Sequence, residues 1–568
     1  MIRRLVVASL ALAACTEHVQ LGDDGKIPGL TQLLVTPQTA SFDFDSIDAA
    51  PQVRQYMATG IFDDGARRDV TALVDWTTNN PAPGGFLERG VYTATGAAAG
   101  HVVVQVRAGD VVGNAAVTVE IAATIVDNTF PPPANAAGLF AGAAYGTDPT
   151  RTPSVLYPSH DTLFPQQLAR ILFQHARGTS NDTFRIAFDS ELLHLVVLTG
   201  GDRWQPDDAV WQLIERSNPA GSVQLAVEAL SSSAPMTKFA STPITLRFAG
   251  STSSDVVYYF SNATSGVVRG SFPANTATQL YPVGVPQCAG CHAVSRDGST
   301  MALGYGGENL ATIDVESLAP LVPPGPTAMG WATFSPDDKL VLVANSGELI
   351  LRDANTGVPV GPTMGKLKLP VGMHATHPDW SPDGTSVAVA LAPTISNMDL
   401  KGGAIALIPY AAGVWGNARI LVTSSGDNDN NFFPRWSPDG KYIAYVHADS
   451  ASQAAKTAEL RLVNVIDKTS IPLRIANHRV GRADDVPNLA STMPSWTSSP
   501  DGLSWIAFTS IRPYGAIRPL PGPSQIWVAG VDLARDGDPS FSAFWLPCQD
   551  VTSVGNNPVW APLPTGTH

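Results

Sequence analysis

A short phrase that keeps returning constrains this chain more than any other feature. Trp380-Ser381-Pro382-Asp383-Gly384 reappears as Trp436-Ser437-Pro438-Asp439-Gly440. Looser copies are Phe334-Ser335-Pro336-Asp337-Asp338, Ser295-Arg296-Asp297-Gly298 and Ser499-Pro500-Asp501-Gly502. Each is followed by an apolar run, such as Val387-Ala388-Val389-Ala390 or Tyr442-Ile443-Ala444-Tyr445-Val446. The chemistry is that of strand, tight turn and strand. Proline presets φ at the first turn position, aspartate bonds its own backbone, and glycine accepts positive φ. Copies recur at roughly 40 to 60 residues, the period of a four-stranded propeller blade.

The repeat resembles that of TolB-type β-propellers, an aromatic residue followed by Ser-Pro-Asp-Gly, and the resemblance spans residues 252–568. It implies six blades. First strands lead into the turns at Ser295, Ser335, Ser381, Ser437 and Ser499, which makes five. A sixth first strand, Asn557-Pro558-Val559-Trp560-Ala561-Pro562, has no chain after it to complete a blade. Its missing strands are expected upstream, in the hairpin formed by Val256-Val257-Tyr258-Tyr259-Phe260 and Gly266-Val267-Val268-Arg269-Gly270. Joining both ends of the segment in one blade protects sheet edges and ties the ring.

The N-terminus reads as an export signal: Arg3 and Arg4, then a short apolar run from Leu5 to Ala14. That run is too short to span a bilayer. It ends in Leu12-Ala13-Ala14-Cys15, which resembles a bacterial lipobox. The resemblance implies a signal peptide over 1–15, lipidation of Cys15 and anchoring by acyl chains. Thr16 in place of aspartate points to the outer membrane. Residues 16–28 read as a linker.

Residues 29–122 carry strand candidates such as Gln32-Leu33-Leu34-Val35 and Val102-Val103-Val104-Gln105-Val106. With Asp69-Val70-Thr71 and Val74-Asp75-Trp76 between them, they resemble a bacterial Ig-like domain of group 2. Trp76 is expected in its core. Pro131-Pro132-Pro133 marks a linker over 123–134. Residues 135–250 read as a second β-sandwich, with strands at 184–188, 193–198 and 223–227 and with Trp204 and Trp211 in or beside the core. Helical periodicity is nearly absent, and Gln166–Gln174 is the best short helix candidate. The fold class is therefore all-β: an Ig-like sandwich, a second sandwich, and a C-terminal six-bladed propeller.

The chemically suggestive element is Cys288-Ala289-Gly290-Cys291-His292, which fits the Cys-x-x-Cys-His pattern of c-type haem attachment. Two thioethers hold the haem vinyl groups, and the adjoining histidine takes the iron. Haem c is the cofactor this pattern implies, with Cys288, Cys291 and His292 as its residues. Three other readings stand beside it. His292 aligns with His377 after a one-residue gap and is then only a repeat position. Cys288 and Cys291 form a local disulfide. Cys548, on a loop between blades, pairs with one of them. Distal iron ligands are sought on loops entering the first strands: Met373, His374 and His377, with Met329 and Met493. Asp427-Asn428-Asp429-Asn430-Asn431 has oxygen ligands for calcium but not the spacing of a calcium loop, and a solvated turn is preferred.

No Gly-x-Ser-x-Gly elbow, phosphate loop or His-Glu-x-x-His helix occurs. The periodic aspartates are turn formers, not an acid–base pair. With 49 Asp and Glu against 35 Lys and Arg, and no basic stripe, nucleic acid is an unsuitable partner. The expected function is a non-enzymatic cell-envelope lipoprotein whose propeller face binds an envelope protein or glycan. The alternative is a haem-bearing electron-transfer protein.

Overall fold

The structure is a computed structural model of the 568-residue chain. It describes residues 25–272, 277–281, 289–306, 309–396, 399–411, 413–450, 455–478, 485–518 and 522–564. The export signal, Cys15 and Cys288 lie outside the described residues. The chain forms two compact units, one of residues up to Ala123 with Glu191–His194, the other of Thr124–Ser190 with Leu195 onward.

The first unit is built of β-strands. Leu30–Thr36 pairs antiparallel with Met57–Phe62. Thr39–Phe44 runs parallel to Val111–Val126, which also pairs antiparallel with Gly100–Ala108. Alternation along Gly100–Ala108 buries Val102, Val104 and Val106 and exposes the residues between or leaves them half-covered. The core is aromatic. Trp76 and Phe86 stand 4.9 Å apart, Phe86 and Tyr92 5.5 Å. Trp76 is half-buried, and its indole N–H donates to the Thr71 carbonyl at 3.0 Å.

In the second unit, residues 135–250 place Thr183–Asp189 and Ser222–Leu230 antiparallel in a larger sheet. A smaller sheet holds Ser154–Tyr157, Phe173–Ala176 and Arg203–Trp204. Aromatic rings fill the space between them, Phe173 lying 5.0 Å from Phe188 and 5.8 Å from Trp204. The helix expected at Gln166–Gln174 is absent. Residues 166–172 form turn and coil, and Phe173 begins a strand. Helices lie instead at Ala136–Gly142 and Asp208–Arg216. The second is capped by Asp207, whose carboxylate accepts from Val210 N, and it buries Val210, Trp211 and Ile214 on one face. Trp211 donates its indole N–H to the Leu168 carbonyl at 2.7 Å, which fixes the coil where a helix was expected.

The propeller has six blades. Their innermost strands are Ala289–Val294, Trp331–Phe334, His374–Trp380, Asn430–Trp436, Thr492–Ser498 and Gly555–Ala561. The last of these pairs with Val256–Ser261, and the sheet continues through Gly266–Gly270 and Thr278–Tyr281. Strands from the two ends of the segment thus complete one blade, as the strand count required. The repeated turns explain themselves chemically. In every copy the serine hydroxyl donates to the aspartate two residues on, at 2.6–2.7 Å. In four of them the same hydroxyl accepts from the backbone N–H five residues on. Glycine at the fourth position takes φ of 70–85°, and Asp338 takes +57° where blade two lacks it.

Residues 135–250 pack on blade five within this unit. Thr162 bridges Ser542, Phe164 lies 5.6 Å from Phe544, and the Trp545 N–H donates to the Tyr157 hydroxyl at 3.1 Å.

Candidate functional site at the propeller axis

Each innermost strand must turn its side chains toward the axis and still reach the outer turn. Five of them do so through a bulge. The register shifts once, and a non-glycine residue takes the left-handed conformation there: Cys291, His377, Phe433, Met493 and Asn557. Such residues are uncommon and mark a backbone held by its surroundings. Cys291 therefore occupies the position of His377. His292 occupies that of Pro378, so the alignment of the two histidines fails by one residue. Trp331 stands at the matching place in blade two.

The bulge residues of blades three and four stack on each other. His377 lies between Trp331 and Phe433, with centroids 5.0 and 3.8 Å away. It is 2% exposed, and neither ring nitrogen has a hydrogen-bond partner. Burial drives its pKa well below the ordinary histidine value, with the nearby Arg435 charge adding to the shift. Beyond the bulges toward the turns, the strands enclose a funnel of about 360 Å³ lined by all six blades. Its outer lining includes the turn prolines Pro336, Pro382 and Pro438. Inside are Arg435, Asp379, Trp436 and Trp560, with Arg296 and Asp255 also lining it. The indole N–H groups of Trp436 and Trp560 have no protein partner. Burial raises the Asp379 pKa, against the pull of Arg435 and Arg296. Burial likewise lowers that of Arg435, which Asp379 opposes.

Several funnel groups also bind the blades together. Thr333 accepts from Trp380 N at 3.2 Å, Asp379 from Trp436 N at 2.7 Å, and Ser495 from Trp560 N at 2.9 Å. The Arg435 carbonyl accepts from the Trp496 indole at 3.1 Å. Asn557 closes the circle by donating to the His292 carbonyl at 3.1 Å.

Of the haem motif, Cys291 and His292 lie in this framework, on the innermost strand of blade one. Cys291 is half-buried and packs with Met329 and Ala332 between blades one and two. His292 is 3% exposed. Its Nε2 lies 3.2 Å from the Tyr258 carbonyl, so Nε2 carries the proton and donates, and Nδ1 faces the Asn557 amide at 3.5 Å. Burial pushes its pKa down to about 4. As folded, these residues do not fit a haem iron: the nitrogen needed for ligation is turned into the seam of blades one and six. The distal candidates are dispersed. Met329 is fully buried beside Cys291, and Met493 is buried with its sulfur accepting from Thr509 at 3.8 Å. Met373 is half-buried and His374 exposed. His377 is sealed between rings. All precede the funnel-lining residues of their strands and sit at the opposite end from its turn prolines. Cys548 is buried against Gly270 and is not bonded to Cys291.

The Asp427–Asn431 run is partly interior. Asp429 accepts from Ser425 N at 2.9 Å, while Asn430 and Asn431 are buried in the strand that follows. Among the described residues no group of three or more His, Cys, Asp or Glu is placed to hold a metal ion. No helix among them is long and apolar enough to cross a membrane.

Sequence reading missed Arg435, Asp379 and the indoles of Trp436 and Trp560 as one site. A usable signal existed: the residue before the aromatic of each repeat phrase varies widely in polarity from blade to blade.

No family model matches this sequence, and no curated protein does. Among solved structures, TolB from Acinetobacter baumannii matches at 14% identity and a TM-score of 0.37, over 60% of this chain and 79% of that one. A putative TolB from Agrobacterium tumefaciens matches at 18% and 0.32, over 54% and 99%. A dihydro-heme d1 dehydrogenase in complex with DHE matches at 15% and 0.31, over 51% and 53%. Scores this low transfer neither a site nor an activity, and the propeller stands on its own strand pairing.

Proposed function

We propose that this protein is a non-enzymatic binding platform of the cell envelope, anchored through Cys15, whose propeller funnel receives a polar group of an envelope protein or glycan. One observation carries the reading: the funnel gathers both signs of charge, Arg296 and Arg435 with Asp255 and Asp379, at a mouth bordered by the turns, with the unpartnered indole N–H groups of Trp436 and Trp560 buried in its wall. Unpaired polar groups in a recess cost stability and are repaid when a ligand pairs them. The lipobox and export signal supply the envelope setting.

The test uses the full mature chain against intact peptidoglycan sacculi and against detergent-solubilised envelope proteins. Retention by one of the two is expected, weakened at least about tenfold, or about 1.4 kcal/mol, in Trp560→Phe and Arg435→Gln. Retention by neither, or retention indifferent to both variants, would contradict it.

The alternative, a c-type cytochrome, rests on the Cys-x-x-Cys-His spacing alone. It requires His292 to leave Tyr258 and Asn557. A reduced-minus-oxidised spectrum of protein matured in a host that assembles c-type cytochromes decides it. A haem α-band that disappears in the Cys288→Ala, Cys291→Ala double variant supports the alternative, and a colourless folded protein removes it.

A further inference from the structure

A second cavity, about 770 Å³, lies between residues 147–160 and 241–244 on one side and blade five on the other. It is independent of the axial funnel. Its walls are largely apolar, with Tyr157, Pro243, Ile244, Leu489 and Trp527 among them. No carboxylate lines it among the described residues.

Arg512 lines the same cavity and is 5% exposed. Its Nε donates to Ser510 Oγ at 3.1 Å, and Nη2 donates to the Ala476 carbonyl at 3.0 Å and to Ser491 Oγ at 3.1 Å. Nη1 has no partner, and no described carboxylate forms an ion pair with this guanidinium. The group stacks on Phe508 and Trp527, 4.8 and 5.2 Å from their centroids. Trp527 is 2% exposed, and its indole N–H is also without a partner. A buried cation with only neutral acceptors is costly, because those acceptors replace water without supplying the counter-charge. Burial accordingly lowers the Arg512 pKa to about 9. Two unpartnered donors beside an apolar chamber of this size have the makeup of a small-molecule site.

We propose that this cavity binds a small amphipathic carboxylate, the acid on Nη1 of Arg512 and the indole N–H of Trp527, the apolar body in the chamber. A carboxylate matches one guanidinium in charge and shape. A phosphate monoester would bring a second negative charge, for which the described lining has no second permanent cation, only the imidazoles of His160 and His478.

Isothermal titration of the full chain with decanoate, 4-phenylbutyrate, decanamide and octyl phosphate tests this. At least one of the two acids is expected to bind and to raise the melting temperature. Decanamide and octyl phosphate should each bind at least about tenfold more weakly than the better acid, or about 1.4 kcal/mol. Arg512→Gln should abolish the preference for acid over amide. Val155→Trp fills the chamber from the opposite wall without touching the arginine, so it should remove binding even where Arg512→Gln fails to fold. Trp527→Phe should lose the fluorescence change on ligand addition. Equal binding of decanoate and decanamide, tighter binding of octyl phosphate, binding that survives Val155→Trp, or no acid binding to the folded chain would each overturn the proposal.

Discussion

His377 is packed by the rings of Trp331 and Phe433 with both nitrogens unpartnered, so it is held neutral. His292 and His175 are also buried, and burial pushes each down to about 4. A histidine whose folded pKa is depressed stabilises the fold fully above its unfolded value of 6.5, and loses that contribution as pH falls toward the folded value. Melting temperature is therefore expected to be flat above about pH 7 and to fall steeply between 6.5 and 4, each such histidine costing up to about 1.4 kcal/mol per pH unit. His377→Phe loses no hydrogen bond and should leave stability at neutral pH unchanged or about 1 kcal/mol higher, with a shallower acid limb. An unaltered limb would show that His377 is not among the titrating groups. The turn aspartates act at lower pH. Bonds from Ser381 and Thr385 hold Asp383 below the usual carboxylate range, so its contribution is lost only as pH falls through that lowered value. Ser381→Ala removes a hydroxyl that donates to Asp383 and accepts from Ser386 N, and should cost about 1–3 kcal/mol by thermal melting.

The elements differ in how far a sequence can announce them. The Ser-Pro-Asp-Gly turn was legible because its chemistry is local: serine and aspartate bind backbone within five residues. The bulges at Cys291, His377, Phe433, Met493 and Asn557 were not, because a bulge exists only relative to the strand it pairs with. That is also why His292 was aligned with His377 and proved to match Pro378. The Asp208–Arg216 helix was missed although Asp207 and its apolar spacing announce it, and Gln166–Gln174 was preferred on a short periodic run. Blade-to-blade bonds supply an element-scale test. Thr333→Val and Ser495→Ala each remove an acceptor for the next blade's backbone N–H and should each cost about 1–3 kcal/mol. The effects should add, because the sites serve different seams. Asp338, left-handed at +57°, accepts from Arg296 N and Asp297 N in the preceding blade. Asp338→Asn keeps the tolerance for positive φ but only one of the two acceptor oxygens and should cost about 1 kcal/mol by chemical denaturation, whereas Asp338→Ala loses both acceptors and that tolerance and should cost more, about 2–3 kcal/mol.

Across the whole second unit, ring closure was legible by counting strands, since a sixth first strand with no successors requires partners upstream. The seat of residues 135–250 on blade five was not, for it joins residues such as Tyr157 and Trp545 that are far apart in sequence. Removing residues 555–568 strips the innermost strand from the closing blade and bares the edge of Val256–Ser261, so the truncated chain is expected to lose its cooperative unfolding transition and aggregate. The funnel exists only when that ring is closed, and its use as a receptor is tested most directly by where a partner touches. A photo-activated cross-linking residue at Pro336, on the funnel rim, should trap one discrete envelope component that Trp560→Phe suppresses. The same residue at Val414, exposed on the outer edge of blade three, should trap none. Identical products from both positions, or none from the rim in intact envelopes, would contradict binding at the funnel.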